Sequence, residues 1–365
     1  MIYLDWNASA PLAAPAKAVW LAVQEQSWGN PSSVHAIGQR ARHTADVAKA
    51  TTARLLGCKP HELIATSGGT EANALAIHAA GPGPIVCTAI CHSSVLRNAE
   101  QAGPVVRSPV DGTGRVQLIV APDTRLVCFQ LANNELGTLQ DVPALVAQVR
   151  ASAPGAWIHL DACQGAGKIP CTFAAWGVDS VALTGHKIGA PVGIGLLYVR
   201  SGHKVVPLLR GGRQQQDRRS GTEDAAGLAA LAAALTAAVE HQASESLRQG
   251  TLLAEAFARI QAARPRAVWL GQDAPRLANT LALGLPGLAN EVLVQRLDLR
   301  GICVSTGAAC MAARGEPSHV VAALGVPRDL ARSVIRVSIG PGTTAADLHA
   351  FTDAYLAETK DFPCA

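Results

Sequence analysis

No Cys-x-x-Cys pair occurs in the 365 residues, and the nine cysteines stand at irregular spacing. That removes the usual ligand spacing of a zinc site. No apolar run reaches the roughly 20 residues a membrane span needs. The longest Ala/Leu-rich run, 225–239, contains Gly227 and Thr236 and reads as a buried or half-buried helix. No basic stretch followed by an apolar one precedes Tyr3-Leu4-Asp5, so a secretory leader is not expected. Internal repeats and low-complexity linkers are missing too. Charge is scarce, at 16% of residues and a net +4, which gives no general reason to expect a nucleic-acid partner. Arg213, Arg218 and Arg219 form the only dense basic group, either a solvated loop or an anion site. These absences lead us to expect a reduced, soluble, cytoplasmic protein with no metal and no membrane contact.

What remains is a chain rich in hydrophobic residues, 49% of the total, which excludes disorder. Its length exceeds one simple core, so a large domain and a smaller one are expected. Short apolar runs at 85–88, 126–129, 157–160, 181–183 and 195–199 alternate with helical stretches such as 142–150. The alternation predicts an α/β fold with a mostly parallel sheet, whose ligands sit beyond the strands' carboxyl ends. After about His241 the texture changes. A charged helix over 245–259 and short strands around 278–285 and 335–339 predict a smaller α+β domain.

Four blocks carry chemistry. Thr66-Ser67-Gly68-Gly69-Thr70-Glu71-Ala72-Asn73 opens a helix with small residues, leaving N–H groups for a phosphate; an ordinary capped helix reads the same. His159-Leu160-Asp161-Ala162-Cys163-Gln164 ends an apolar strand. Asp161 there could hold a pyridine nitrogen protonated, or merely cap a helix. Thr184-Gly185-His186-Lys187 follows another strand and leads into glycines and apolar residues. A lysine in a dry pocket suits Schiff-base chemistry, whereas a surface lysine is the general rule. Gly307-Ala308-Ala309-Cys310 places a thiol among small residues, readable as an exposed reactive cysteine or a small buried hydrophobe. The buried default is applied to Cys58, Cys87, Cys128, Cys163, Cys171 and Cys303, and Cys364 is expected near a frayed end. Arg336, between apolar neighbours, needs an anion: a substrate carboxylate or a structural ion pair. His92, after a strand, could stack on a ring or move protons, or be a loop histidine.

The order of these blocks resembles the cysteine desulfurases of iron–sulfur cluster assembly, class V aminotransferases of pyridoxal-phosphate (PLP) fold type I. The resemblance begins at Tyr3-Leu4-Asp5-Trp6-Asn7-Ala8 and 29–35. It continues through Asn133-Asn134-Glu135-Leu136-Gly137 and Arg219-Ser220-Gly221-Thr222-Glu223, and it ends at Gly307–Cys310. It implies a large domain with a seven-stranded, mostly parallel sheet over 13–242. A small domain, carrying the cysteine loop, would comprise 1–12 and 243–365. It also implies roles. Lys187 would carry PLP covalently, Asp161 would face the pyridine nitrogen, Gln164 would bond the ring oxygen, and His92 would stack on the ring and help with proton transfer. Gly69, Thr70, Thr184 and His186 would bind the phosphate, with Thr222 supplied by the partner subunit of a homodimer. Asn134 and Arg336 would hold the α-carboxylate of L-cysteine, with Asn134 also at the cofactor. Cys310 would take the sulfur as a persulfide, leaving L-alanine, and pass it to an iron–sulfur scaffold or a sulfur carrier.

The chain departs from the family at four positions. Cys91 stands where glutamate is usual, Thr184 replaces serine, Ala190 replaces a frequent glycine and Ala308 replaces a frequent serine. Cys91 is therefore a second candidate thiol. Rival reactions on the same fold are an aminotransferase, a selenocysteine lyase and a cysteine-sulfinate lyase. A non-enzymatic docking partner is the rival of another kind.

Overall fold

The structure, a computed structural model, describes residues 1–307 and 317–360. After a two-residue strand β1 (Ile2–Tyr3) come β2 (Leu63–Thr66), β3 (Ile85–Thr88), β4 (Val105–Ser108), β5 (Leu126–Gln130), β6 (Trp157–Asp161), β7 (Ser180–Thr184) and β8 (Gly195–Val199). The last seven form one sheet in the order β2-β8-β7-β6-β5-β3-β4. Only β8 is reversed: it runs antiparallel to β2 and β7, and the other neighbours are parallel. All positions of β2, β3, β5, β6, β7 and β8 are buried. Such continuous apolar strands mark a sheet covered on both faces.

Strand alternation sorts the side chains between the two faces. Leu63 and Ala65 point into a core with α1 (Ala14–Gln26), α2 (Ala36–Leu55), α5 (Val142–Ser152) and the first turns of α7 (Ala225–Ala263). Ile64 points the other way, to a core with α3 (Gly69–Ala80) and α4 (Ser93–Ala102). A short segment, α6 (Gln214–Asp217), contains left-handed Gln215 and Gln216 and is no regular helix.

A further core gathers Leu4, Leu253, Phe257, Leu283, Ile302, Val337 and Phe351. Its strands are β9 (Val268–Trp269), β10 (Thr280–Gly284) and β12 (Ile335–Ser338), all antiparallel, plus β11 (Ile302–Cys303) in parallel register with β1. Its helices are α8 (Asn290–Leu299) and α11 (Ala345–Glu358); between them α9 (His319–Ala323) and α10 (Arg328–Ala331) are short.

One expectation fails here. The sequence suggested an Ala-rich helix and then a separate charged one, but 225–263 is a single helix of 39 residues. At 1.5 Å per residue it spans about 58 Å. The change in texture marks a change of surroundings. Its start is buried against the large sheet, and Leu253, Ala256, Phe257 and Ile260 are buried in the other core. No proline interrupts the stretch between, so the backbone continues while the side chains switch from apolar to charged. No helix among the described residues is long and apolar enough to cross a membrane.

Asp179 ties the sheet to its surroundings. It is 1% exposed. Its carboxylate accepts from Arg150 Nη2 at 2.6 Å, from Arg200 Nη2 and from the Ile158 N–H at 2.8 Å, and His203 Nε2 lies 3.1 Å from it.

Candidate active site

The carboxyl ends of β2, β6 and β7 open onto a cavity of about 810 Å³, a volume within the range of small-molecule sites. Gly69, Thr70, His92, Asn134, Asp161, Gln164, Thr184, His186, Lys187 and Arg336 all line it. These residues come from eight separate places in the sequence. Thr222 does not line it; it is exposed on the 221–224 loop. Cys310 lies outside the described residues, as does Cys364. Gly307, three positions before Cys310, is at the cavity wall.

Gly68 and Gly69 begin α3, where free N–H groups and the helix dipole favour an anion. Close packing explains the glycines. A Cβ on Gly69 would lie 2.4 Å from Cys163 Sγ, and one on Gly195 would lie 2.6 Å from Gly68 Cα. Opposite them, Thr184 Oγ1 is buried and has no hydrogen-bond partner among the described residues. A buried hydroxyl of that kind suits a ligand oxygen.

Asp161, at the end of β6, is 7% exposed. Burial alone opposes its ionisation. The Cys163 N–H on its Oδ1 at 3.0 Å and the nearby cations override that, and the carboxyl sits below its ordinary range. Asn73 Nδ2 reaches its Oδ2 at 3.0 Å. His92 is the N-cap of α4, and its Nδ1 accepts the Ser94 N–H at 3.1 Å. Burial pushes its imidazole down, toward the neutral form.

Gln164 is held from both ends. Its Nε2 donates to the Asn7 carbonyl at 2.8 Å, and its Oε1 accepts Lys168 Nζ at 2.9 Å. Lys168 also donates to Asn7 Oδ1 at 2.8 Å. Burial, with the positive charges of Lys187 and Arg336, pushes the Lys168 amine down to about 7.

Arg336 is 4% exposed and already has an anion, Asp5, whose Oδ1 accepts its Nη2 at 2.5 Å. Its Nη1 donates to the Asn134 carbonyl at 3.1 Å, while its Nε is buried without a partner. The ion-pair reading of this arginine is met on one edge, and Nε is left as an unused donor.

The sequence reading of the thiols needs correction. Cys91 does not line the cavity. It is fully buried, bonded to Thr88 Oγ1 at 3.1 Å and to the Cys128 carbonyl at 3.6 Å, and burial raises its pKa. Cys163 lines the cavity instead, and burial followed by the charge of Asp161 raises its pKa as well. The buried default holds for Cys87 and Cys128, but Cys58, Cys163, Cys171 and Cys303 are only half-buried. Two members of the basic group are engaged within the protein: Arg219 pairs with Glu71 at 2.7 Å, and Arg218 donates to the His61 carbonyl at 2.7 Å, while Arg213 is exposed.

Sequence reasoning passed over Asp5, Asn7, Asn73, Ser94, Glu135, Cys163, Lys168 and His319 as site residues. Glu135 is buried, with Oε2 lacking a partner among the described residues, and burial raises its pKa.

Comparison with known proteins places this geometry. The family described as "Aminotransferase class-V" matches residues 2–351. A cysteine desulfurase of Cereibacter sphaeroides is 38% identical, over 95% of this chain and 92% of its own. A NifS-like protein from Rickettsia africae superposes with a TM-score of 0.90 at 28% identity, covering 99% of each chain. SspA in complex with cysteine superposes with a TM-score of 0.80 at 27% identity, covering 94% of this chain and 100% of that one.

Proposed function

The chain belongs to the class V aminotransferases, and from that premise we propose that it is a PLP-dependent cysteine desulfurase with Cys310 as sulfur acceptor. The observation that carries the cofactor's fit is the paired orphan and anion: the unpartnered Thr184 hydroxyl beside the glycine cradle, with the buried Asp161 carboxylate at the end of the neighbouring strand. PLP supplies an electron sink for the substrate's α-carbon. Lys187 anchors it, Gly69, Thr70, Thr184 and His186 hold its phosphate, and Asp161 keeps its ring nitrogen charged. Gln164, clamped by Asn7 and Lys168, presents its amide to the ring oxygen.

The cavity's cations orient the amino acid. Arg336 Nε and the Asn134 side chain take the α-carboxylate, and Asp5 holds the guanidinium in place from the other edge. Cysteine and the Cys310 thiol exchange a sulfur: the substrate's C–S bond breaks, an S–S bond forms on Cys310, and alanine carries away the hydrogens. No outside oxidant is needed, because persulfide plus alanine holds the same atoms as thiol plus cysteine. The pKa values of Cys91 and Cys163, raised by burial, support Cys310 as the acceptor, since a thiol attacks as the thiolate.

We read 13–242 as the large cofactor-binding domain, and 1–12 with 243–365 as the small domain. The enzyme is read as a cytoplasmic homodimer, in which the exposed Thr222 of each subunit reaches the other's phosphate. The persulfide then goes to an iron–sulfur scaffold or another sulfur carrier.

The test is an absorption spectrum before and after L-cysteine, with alanine and sulfide quantified under reducing conditions. A visible band that shifts with cysteine, and alanine formed in step with sulfide, is the expected result. Lys187→Ala loses the band; Cys310→Ala keeps it and releases no sulfide. Full activity in Cys310→Ala would transfer the acceptor role to another thiol, Cys163 first, because it faces the cavity. A responsive band without sulfide or alanine would favour the lyase or aminotransferase reactions.

A further inference from the structure

A chain of hydrogen bonds runs from the cavity wall into the sheet, and its polarity can be worked out from one end. Asp161 is ionised and can only accept. The atom of Asn73 that faces it at 3.0 Å must therefore be Nδ2. That fixes the amide, so Asn73 Oδ1 is the atom 2.8 Å from His159 Nε2. An amide oxygen only accepts, so His159 carries its proton on Nε2. His159 is neutral, pushed down to about 4 by burial. Its Nδ1 is therefore bare and accepts the Ser180 hydroxyl at 2.8 Å, whose oxygen in turn accepts Trp157 Nε1–H at 2.8 Å.

The second proton of the same amide runs the other way. Asn73 Nδ2 donates to Ser94 Oγ at 2.9 Å. The Ser94 hydroxyl is then free to donate to His92 Nδ1 at 2.8 Å, alongside the Ser94 backbone N–H at 3.1 Å. With two donors on Nδ1, the proton of a neutral His92 belongs on Nε2, the nitrogen with no partner among the described residues.

We propose that Asn73 is a positioning residue that couples two polar groups of the cavity, fixing Asp161 as an acceptor and, through Ser94, His92 as the Nε2–H tautomer. His92 then offers the cavity a hydrogen-bond donor. It cannot act as a base at Nε2, because that nitrogen already holds its proton, so the α-proton falls to Lys187. The inference on tautomers stands on this chain's own bonds, and only its catalytic consequence rests on the desulfurase reading. Around His92 the charged or titratable groups are Asp161, Lys187 and His319; around Asp161 they are Cys163, His92, Lys187, His159, Cys91 and Cys128.

The experiment is nitrogen-15 NMR of histidine-labelled protein, with and without PLP, assigned by His92→Gln and His159→Gln. Both rings should show a protonated Nε2 and a bare, hydrogen-bonded Nδ1 at neutral pH. Ser94→Ala removes one donor from His92 Nδ1, so the His92 titration should move up in pH while the acid-side transition of the cofactor band stays put. Asn73→Asp keeps the shape but removes both donors. It should move the His92 titration and the cofactor band's acid transition upward together, and Asn73→Leu, which removes the donors without adding a charge, should move both in the same direction. A proton on His92 Nδ1 in the wild type overturns the proposal. So does a Ser94→Ala protein with an unmoved His92 titration, which keeps the test decisive if Asn73→Asp does not fold. Cysteine desulfuration can fail entirely without touching these readouts.

Discussion

The contact between Gly69 and Cys163 gives a reciprocal test of how the phosphate cradle is packed. Gly69→Ala puts a methyl 2.4 Å from the Cys163 sulfur, while the next neighbours are at 3.5 and 3.8 Å. We expect a cost of about 1–3 kcal/mol and weakened PLP retention. Cys163→Ala in the same chain should restore most of both, because only ordinary contacts then remain. A thermal-melt double-mutant cycle measures the coupling, and additivity would show that the cradle yields by another route. At Thr184 the expected signs diverge. Thr184→Val removes a buried hydroxyl that has no protein partner. The PLP-free protein should keep its melting temperature, while PLP binding weakens by about 1.5–3 kcal/mol, the worth of a hydrogen bond to a charged group. Equilibrium dialysis against PLP checks it. These residues were legible in the sequence because their chemistry sits at the ends of strands, where local pattern predicts both strand and ligand edge. Asn73 and Lys168 were not recognised as supports. The partners of Asn73 include residues 86 and 88 positions away, and Asn7 is 161 positions from Lys168. A bond across such a gap leaves no periodicity to read.

Among the elements, β6, β7 and β8 depend on Asp179. It sits just before β7 and gathers Arg150 from α5, Arg200 and His203 after β8, and the start of β6 through the Ile158 N–H. Asp179→Ala strands these donors at a buried position. Breaking a buried pair costs about 3–5 kcal/mol. Because the two arginines are 29% and 39% exposed, water recovers part of that, and about 2 kcal/mol is expected. Urea unfolding should show a lower midpoint at unchanged slope, and a changed slope would point to altered compactness instead. Strand positions were read closely from sequence, since apolar runs bounded by glycine and polar residues are a local signal. The reversal of β8 and the continuity of α7 were not. The first depends on which strand it pairs with. The second was hidden because composition follows surroundings, and α7 passes through two of them.

At the scale of the whole molecule, acid is the expected weak direction. His159 is buried and neutral, with its pKa lowered to about 4, against an ordinary value of about 6.5 in the unfolded chain. Between those values the unfolded state binds the extra proton, so stability is full above about pH 6.5 and falls as pH drops toward 4. The loss should be on the order of 3 kcal/mol. His159→Gln should flatten part of that slope in urea titrations, and an unchanged slope would assign the acid sensitivity to other groups. The two-core architecture also sets an order of assembly. Ile2 and Tyr3 pair with Ile302 and Cys303, across nearly the whole chain. During synthesis the first strand emerges long before its partner exists, and it must wait as an unpaired edge until some three hundred residues have followed it. The large sheet, whose strands all lie between 63 and 199, can close in the meantime. The core around Leu4 therefore cannot be sealed until residues 302 and 303 have been made, well after the large sheet has had the chance to form.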